Sequence, residues 1–160
     1  MQIIYKTPEQ IELIRVSSLL VGDTLAEVAA LIKPGVKTIE LDKIAETFIR
    51  DHQSIPAFKG YNGFPASLCI SVNAEIVHGI PGKRELKDGD VVSIDGGVIK
   101  DGFFGDSAYS FTVGEVTSEV RKLIRVTKEC LLNSIEMAVV GGRIGDISAA
   151  VQDHAEINHR

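Results

Sequence analysis

At 160 residues with 44% hydrophobic content, the chain can bury a sizeable core and suits one domain spanning residues 1–160. Seventeen Lys and Arg against 22 Asp and Glu leave a formal charge of −5, with no basic cluster longer than a dipeptide, which argues against nucleic acid or an anionic membrane as partner. MQIIYKTPEQ lacks the build of a signal peptide, no run reaches the length of a membrane span, and Cys69 and Cys130 have neither CxxC nor Cys/His spacing; a cytoplasmic protein with reduced thiols is the default expectation.

Thr7, Pro8 and Gln10 form a strong helix start: a capping hydroxyl, a proline whose missing N–H does no harm, and a capping-box partner. Ile11, Ile14, Leu19, Val21, Leu25 and Val28 then keep close to a helical period until Pro34-Gly35 stops it. Thr38 is placed to cap a second helix with Leu41, Ile44 and Phe48 as its buried stripe, and Pro56 closes that segment. From Ser67 the runs SLCISVN, EIVHGI, DVVSIDGGVI and SAYSFTVG, separated by Gly, Pro, Asn and Asp, predict antiparallel strands. Thr117 and Ser118 begin a long helix with Val120, Leu123, Ile124, Thr127, Leu131 and Ile135 on one side, ending by Gly141-Gly142, and Asp146 is placed to cap one more. Helix, glycine break and capped helix thus occur twice, a layout that hints at internal duplication.

Within SIDGGVIKDGFFGDS, Asp95 and Asp106 flank a turn signal. Facing residues of a two-residue hairpin have a constant sum of positions. A turn at Lys100-Asp101 sets Asp95 directly opposite Asp106, whereas a turn at Asp101-Gly102 makes them diagonal neighbours; both put the carboxylates on one face. An odd-length loop or a bulge would separate them. Like charges so placed repel, and Phe103, Phe104, Tyr109 and Phe111 would raise the cost if they surround the pair. A shared proton or bound divalent cations would offset it. The plainer alternative, two water-screened turn aspartates, is favoured by spacing alone.

His78 stands where a strand meets a turn, commonly a structural position. His154 and His159, at i and i+5, fall on different helix faces and read as a polar helix end. Tyr61, Phe64 and Cys69 suit either an apolar pocket or ordinary core. GVIKDGFFG has no following helix and no Lys-Ser/Thr, so it is no phosphate loop.

Taken together, YNGFPASLCISVN, EIVHGIPG, LKDGDVVSIDGGVIKDGFFGDSAYSFTVG and VGGRIGDI resemble the type I methionine aminopeptidases of the pita-bread metallopeptidase family, from the first helix to Arg160. The resemblance implies an α+β fold, an incomplete pita-bread with helices on one face of an antiparallel sheet. It implies that Asp95 and Asp106 bind two divalent ions (Co, Mn, Fe or Zn), that His78 contacts substrate near the scissile bond, and that Tyr61, Phe64, Cys69 and Phe58 line a methionine pocket. Implied partners are N-terminal Met peptides and nascent chains near the ribosome, with a monomeric full-length protein in the cytoplasm. Gly96 and Gly97 depart from the family pattern and imply a looser pocket wall. The family's remaining ligands, a His in a GHG-type motif and two Glu, have no counterpart before Arg160, since neither His154 nor Glu156 lies in such a motif. The expectation is therefore the N-terminal portion of a methionine aminopeptidase, binding metal weakly by itself. A non-catalytic pita-bread binding protein and a proline-directed peptidase are the alternatives, and the carboxylate pair with His78 argues for the enzyme.

Overall fold

A computed structural model describes residues 3–157. The chain forms two compact units, Met1–Glu115 and Val116–Arg160.

In the first unit, α1 (Pro8–Ala29) begins as the sequence predicts. Thr7 Oγ1 accepts from the Gln10 amide at 3.3 Å, and Gln10 Oε1 accepts from the Thr7 amide at 3.0 Å. Its buried stripe differs from the expected one: Ser17, Leu20, Val21, Thr24, Leu25 and Val28 are buried, while Ile11 and Leu19 are exposed. The small hydroxyl residues, invisible to a hydrophobic period, let the helix lie close to the sheet. α2 (Thr38–Asp51) is capped at Lys37, not at Thr38. Thr38 Oγ1 is engaged elsewhere, accepting from the Gly82 amide at 2.9 Å, and Glu40 takes the Lys37 amide at 3.0 Å. Thr38, Leu41, Asp42, Ala45 and Ile49 are its buried positions, with Phe48 packed at the edge of the core.

The sheet is built around β3 (Val91–Lys100). One edge pairs along its whole length with β4 (Phe103–Thr112), and the other pairs with β2 (Leu68–Val72) and β1 (Ile55–Pro56), all antiparallel. EIVHGI, expected as a strand, is irregular: Val77 and His78 both have left-handed φ, 42° and 53°, which no extended strand accommodates. Leu68, Ile70 and Val72 of β2 and Val92, Ile94 and Val98 of β3 point to one face, where they join the buried residues of α1 and α2 in a single core. Both helices therefore cover one face of the sheet, leaving the odd-numbered residues of β2 and β3 on the other. Among the described residues no strand pairs with the far edge of β4.

At the α1–β4 crossing, Ser17 Oγ lies 3.0 Å from the Leu13 and Phe103 carbonyls and 3.4 Å from that of Lys100. A Cβ at Gly105 would lie 2.5 Å from the Ser17 carbonyl carbon and oxygen, so only glycine permits this approach.

In the second unit, α3 (Ser118–Glu136) is capped by Thr117, whose hydroxyl accepts from the Val120 amide, as expected. Its buried residues are Val126, Cys130 and Ser134, whereas Leu123, Leu131 and Ile135 of the expected stripe are exposed. The packing partner decides this: the Cys130 thiol meets the Val151 carbonyl of α4 (Ile144–Gln152) at 3.7 Å. α4 is capped at Arg143, with Asp146 three positions inside accepting the Arg143 amide at 2.8 Å. The two helix pairs thus share a device: a Thr cap on the first helix, and on the second a basic cap residue whose amide is taken by an acid three residues on.

Gly105→Ala is expected to destabilise the protein by about 1–3 kcal/mol, the usual cost of overpacking against an element that cannot move. A lowered urea midpoint at unchanged slope would show it, and wild-type stability would contradict the crossing.

Candidate functional site

The β3–β4 turn places Asp101 and Gly102 at φ 51° and 79°, the left-handed pair of a type I′ turn. This selects the second of the two registers. Asp95 faces Ala108, Gly97 faces Asp106, and the two aspartates are diagonal neighbours on the face away from the helices. Cys69 on β2 pairs with Asp95 and shares that face. Of the four hairpin aromatics that would raise the cost by surrounding the pair, three face the other way. Phe103, Tyr109 and Phe111 take the opposite parity, with Tyr109 opposite Ile94 and Phe111 opposite Val92, so Phe104 is the one member of that group beside the aspartates. Asp95 is half-buried and Asp106 is exposed.

A cavity of about 790 Å³ opens over this face, lined among others by Phe58, Tyr61, Phe64, Cys69, His78, Asp95 and Asp106. Every site residue read from the sequence borders it. Sequence reasoning missed Ala57, Asn62, Gly63, Pro65, Ile80, Phe104 and Gly105, which complete the wall. Their spacing carries no chemical signal, although all but Ala57 lie within the YNGFPASLCISVN, EIVHGIPG and SIDGGVIKDGFFGDS stretches. His78 reaches the rim through Gly79, whose carbonyl accepts from the Ile70 amide at 2.8 Å and whose own amide donates to Ser71 Oγ at 3.2 Å. A Cβ at Gly79 would collide with the Ile70 carbonyl. The looser wall expected at Gly96 and Gly97 is overturned by packing. The space of a Cβ is filled at Gly96 by the Leu68 side chain at 2.8 Å, and at Gly97 by the Phe58 ring at 2.8 Å and Ala57 at 2.9 Å.

His154 and Glu156 lie away from the aspartates in sequence and in the second unit; His154 Nε2 meets Glu129 Oε2 at 2.9 Å. His159 falls outside the described residues.

A model of metallopeptidase family M24 matches residues 12–159. The chain belongs to this family. It is 48% identical over 155 residues to the methionine aminopeptidase of Clostridium acetobutylicum, covering 96% of this chain and 62% of the relative. Against methionine aminopeptidase 1 of Bacillus subtilis it is 48% identical over 154 residues, again 96% of this chain and 62% of the relative. The crystal structure of the Rickettsia prowazekii methionine aminopeptidase superposes at a TM-score of 0.96 with 38% identity, over 98% of this chain and 63% of that one. The fold is the α+β pita-bread of this M24 group, and the chain spans somewhat under two thirds of the length of the relatives it matches.

For an M24 metallopeptidase the donor chemistry at the hairpin is apt but incomplete. Asp95 and Asp106 offer hard oxygen donors on one face, and their arrangement is one a cation would relieve: burial first, then the Asp106 charge, raises the Asp95 pKa, with His78 opposing. Among the described residues, however, no group of three or more His, Cys, Asp and Glu could hold an ion. The two aspartates fit as part of a metal centre. The Cys69 thiol beside them is pushed up to about 11, by burial and then by the charges of Asp95, Asp106 and Asp42.

Two measurements follow from these charges. Because the folded Asp95 holds its proton to higher pH than the unfolded chain does, its contribution to stability is present below the ordinary Asp range, about pH 4, and is lost as pH rises through the elevated value. In metal-free protein, Asp95→Asn should flatten that fall in urea midpoint; Asp42, also raised, leaves a remainder. An unchanged profile would contradict the coupling. With its pKa pushed up to about 11, Cys69 should alkylate with iodoacetamide at pH 8 at least about tenfold more slowly than a free cysteine, the loss of thiolate being only partly offset by the greater nucleophilicity of a more basic thiolate, as followed by peptide mass spectrometry.

Proposed function

We propose that this chain contributes the carboxylate pair, the histidine and the side-chain pocket of a methionine aminopeptidase, which removes the N-terminal methionine by hydrolysing the first peptide bond. The observation that carries the reading is the meeting, around one cavity, of Asp95, Asp106, His78 and an apolar wall. Two divalent ions, drawn from Co, Mn, Fe or Zn, would supply Lewis acidity and a nucleophilic water at neutral pH. Asp95 and Asp106 would hold them, and further donors would come from the whole protein outside this span, since two carboxylates fall short of the six or so ligands a hard cation takes.

His78 stands at the rim, near enough to Asp95 for their charges to interact, and hydrogen-bonds the substrate backbone beside the scissile bond. Phe58, Tyr61, Phe64 and Cys69 take the methionine side chain, with apolar burial and sulfur–aromatic contact favouring an unbranched thioether. The substrates are N-terminal methionyl peptides, nascent chains near the ribosome among them, handled by a monomeric full-length protein in the cytoplasm. No helix of the described residues is long and apolar enough to cross a membrane. A non-catalytic binding scaffold is the second reading, favoured by the absence of a three-ligand group among the described residues.

The full-length protein, stripped by chelator and resupplied with Mn, Fe or Co, is expected to release methionine from Met-Ala peptides. His78→Ala should lower kcat/KM by about a hundredfold or more, and Asp106→Asn should abolish turnover. Full activity of Asp106→Asn would refute its metal-binding role, and a full-length protein inert with every metal would favour the scaffold.

A further inference from the structure

The wall that carries Phe58, Tyr61 and Phe64 is a closed turn. Tyr61 donates its amide to the Phe58 carbonyl at 3.0 Å, Gly60 donates to the Phe64 carbonyl at 2.8 Å, and Gly60, Asn62 and Gly63 are left-handed at φ 87°, 48° and 80°. Such a turn keeps its own shape. What sets its distance from the aspartates is its attachment to the rest of the fold.

Two carboxylates of α2, at i and i+4 and so on one side of the helix, hold it at both ends. Glu46 accepts from Lys59 Nζ at 2.5 Å, immediately after Phe58, while Arg50 Nε donates to the same carboxylate at 2.9 Å. Asp42, 4% exposed, accepts at one oxygen from two successive amides, Ser67 at 2.9 Å and Leu68 at 2.8 Å, where the segment enters β2. A carboxylate this buried is costly unless it is well bonded; the two amide donors on one oxygen offset part of that cost, and burial still holds the Asp42 pKa above the ordinary range. Both tethers act on the cavity through a neighbour: Lys59 follows Phe58, whose ring fills the space over Gly97, and Leu68 precedes Cys69, paired with Asp95.

We propose that Asp42 and Glu46 are positioning residues that fix the width of the apolar slot, and thereby the N-terminal side chain it admits, by holding the Phe58–Phe64 turn and the start of β2 against α2. Neither touches the substrate. The proposal rests on the methionyl reading of the site. Loss of a tether should widen the slot at the side-chain end while leaving Asp95 and Asp106, held by the β3–β4 ladder, in place. Selectivity is then lost through KM, with kcat retained.

The test compares Met-Ala-Ser with Leu-Ala-Ser as substrates of the metal-loaded full-length protein. Glu46→Gln, Lys59→Met and Asp42→Ala are each expected to raise KM for the methionyl peptide and to reduce Met over Leu selectivity by about tenfold, with kcat within about threefold of wild type. Asp42→Asn, which keeps an acceptor oxygen, should recover most of the loss, and amide exchange at Ser67 and Leu68 should quicken in Asp42→Ala but not in Asp42→Asn. Should Asp42→Ala not fold, the two variants at the Glu46–Lys59 pair carry the measurement. Wild-type selectivity in folded Glu46→Gln and Lys59→Met, or an Asp42→Asn no better than Asp42→Ala, overturns the positioning role alone. Failure of the unmodified protein to cleave methionyl peptides overturns the reading beneath it, and the proposal with it.

Discussion

Two left-handed residues at the tip of a hairpin settle which side chains of its strands meet. With Asp101 and Gly102 in that role, β3 and β4 have one register, and the pleat assigns each residue to a face. The even positions of β3 meet the helices and make the core. The odd positions take the other face, where Asp95, with Cys69 from β2 and Asp106 from β4, borders the cavity. A slip of one residue would bury Asp95 among Ile70 and Leu41 and present Ile94 to the cavity. The penalty for an unpaired buried carboxylate makes the hydrophobic core itself the guardian of the site's geometry.

Glycine does the complementary work where backbones approach. At Gly79 the chain presses on the Ile70 carbonyl and so carries His78 to the rim, and at Gly97 the missing side chain is replaced by the Phe58 ring. The chemistry-bearing groups are set in place less by their own contacts than by neighbours that lack a side chain. This is why the departure at Gly96-Gly97, read as a gap, is in fact a filled position.

Much of the site was legible because its chemistry is local and periodic. Asp95 and Asp106 share a face by hairpin arithmetic, and the resemblance then gathered His78, Phe58, Tyr61, Phe64 and Cys69 around them. Less legible was anything decided by a partner distant in sequence. Thr38 looked like a cap but is bonded to Gly82, 44 residues away. Leu123, Leu131 and Ile135 formed the more apolar stripe, yet α4 meets the face of Cys130. EIVHGI has a strand's composition but two left-handed residues break it, and no propensity scale marks Val77 as one of them. The Asp42 anchor was equally hidden, because a lone aspartate in a helix looks like a solvated one until the amides of Ser67 and Leu68 are seen to converge on it.

The hydroxyl of Ser17 has three carbonyls within reach, those of Leu13, Lys100 and Phe103, and a single hydrogen to give. It can donate well to only one of them at a time; a bond to Leu13 stays within α1, whereas one to Lys100 or Phe103 ties the helix to the hairpin. The joint between α1 and the hairpin is therefore held chiefly by the close fit of Gly105 against the Ser17 backbone, to which the hydroxyl adds one bond at a time.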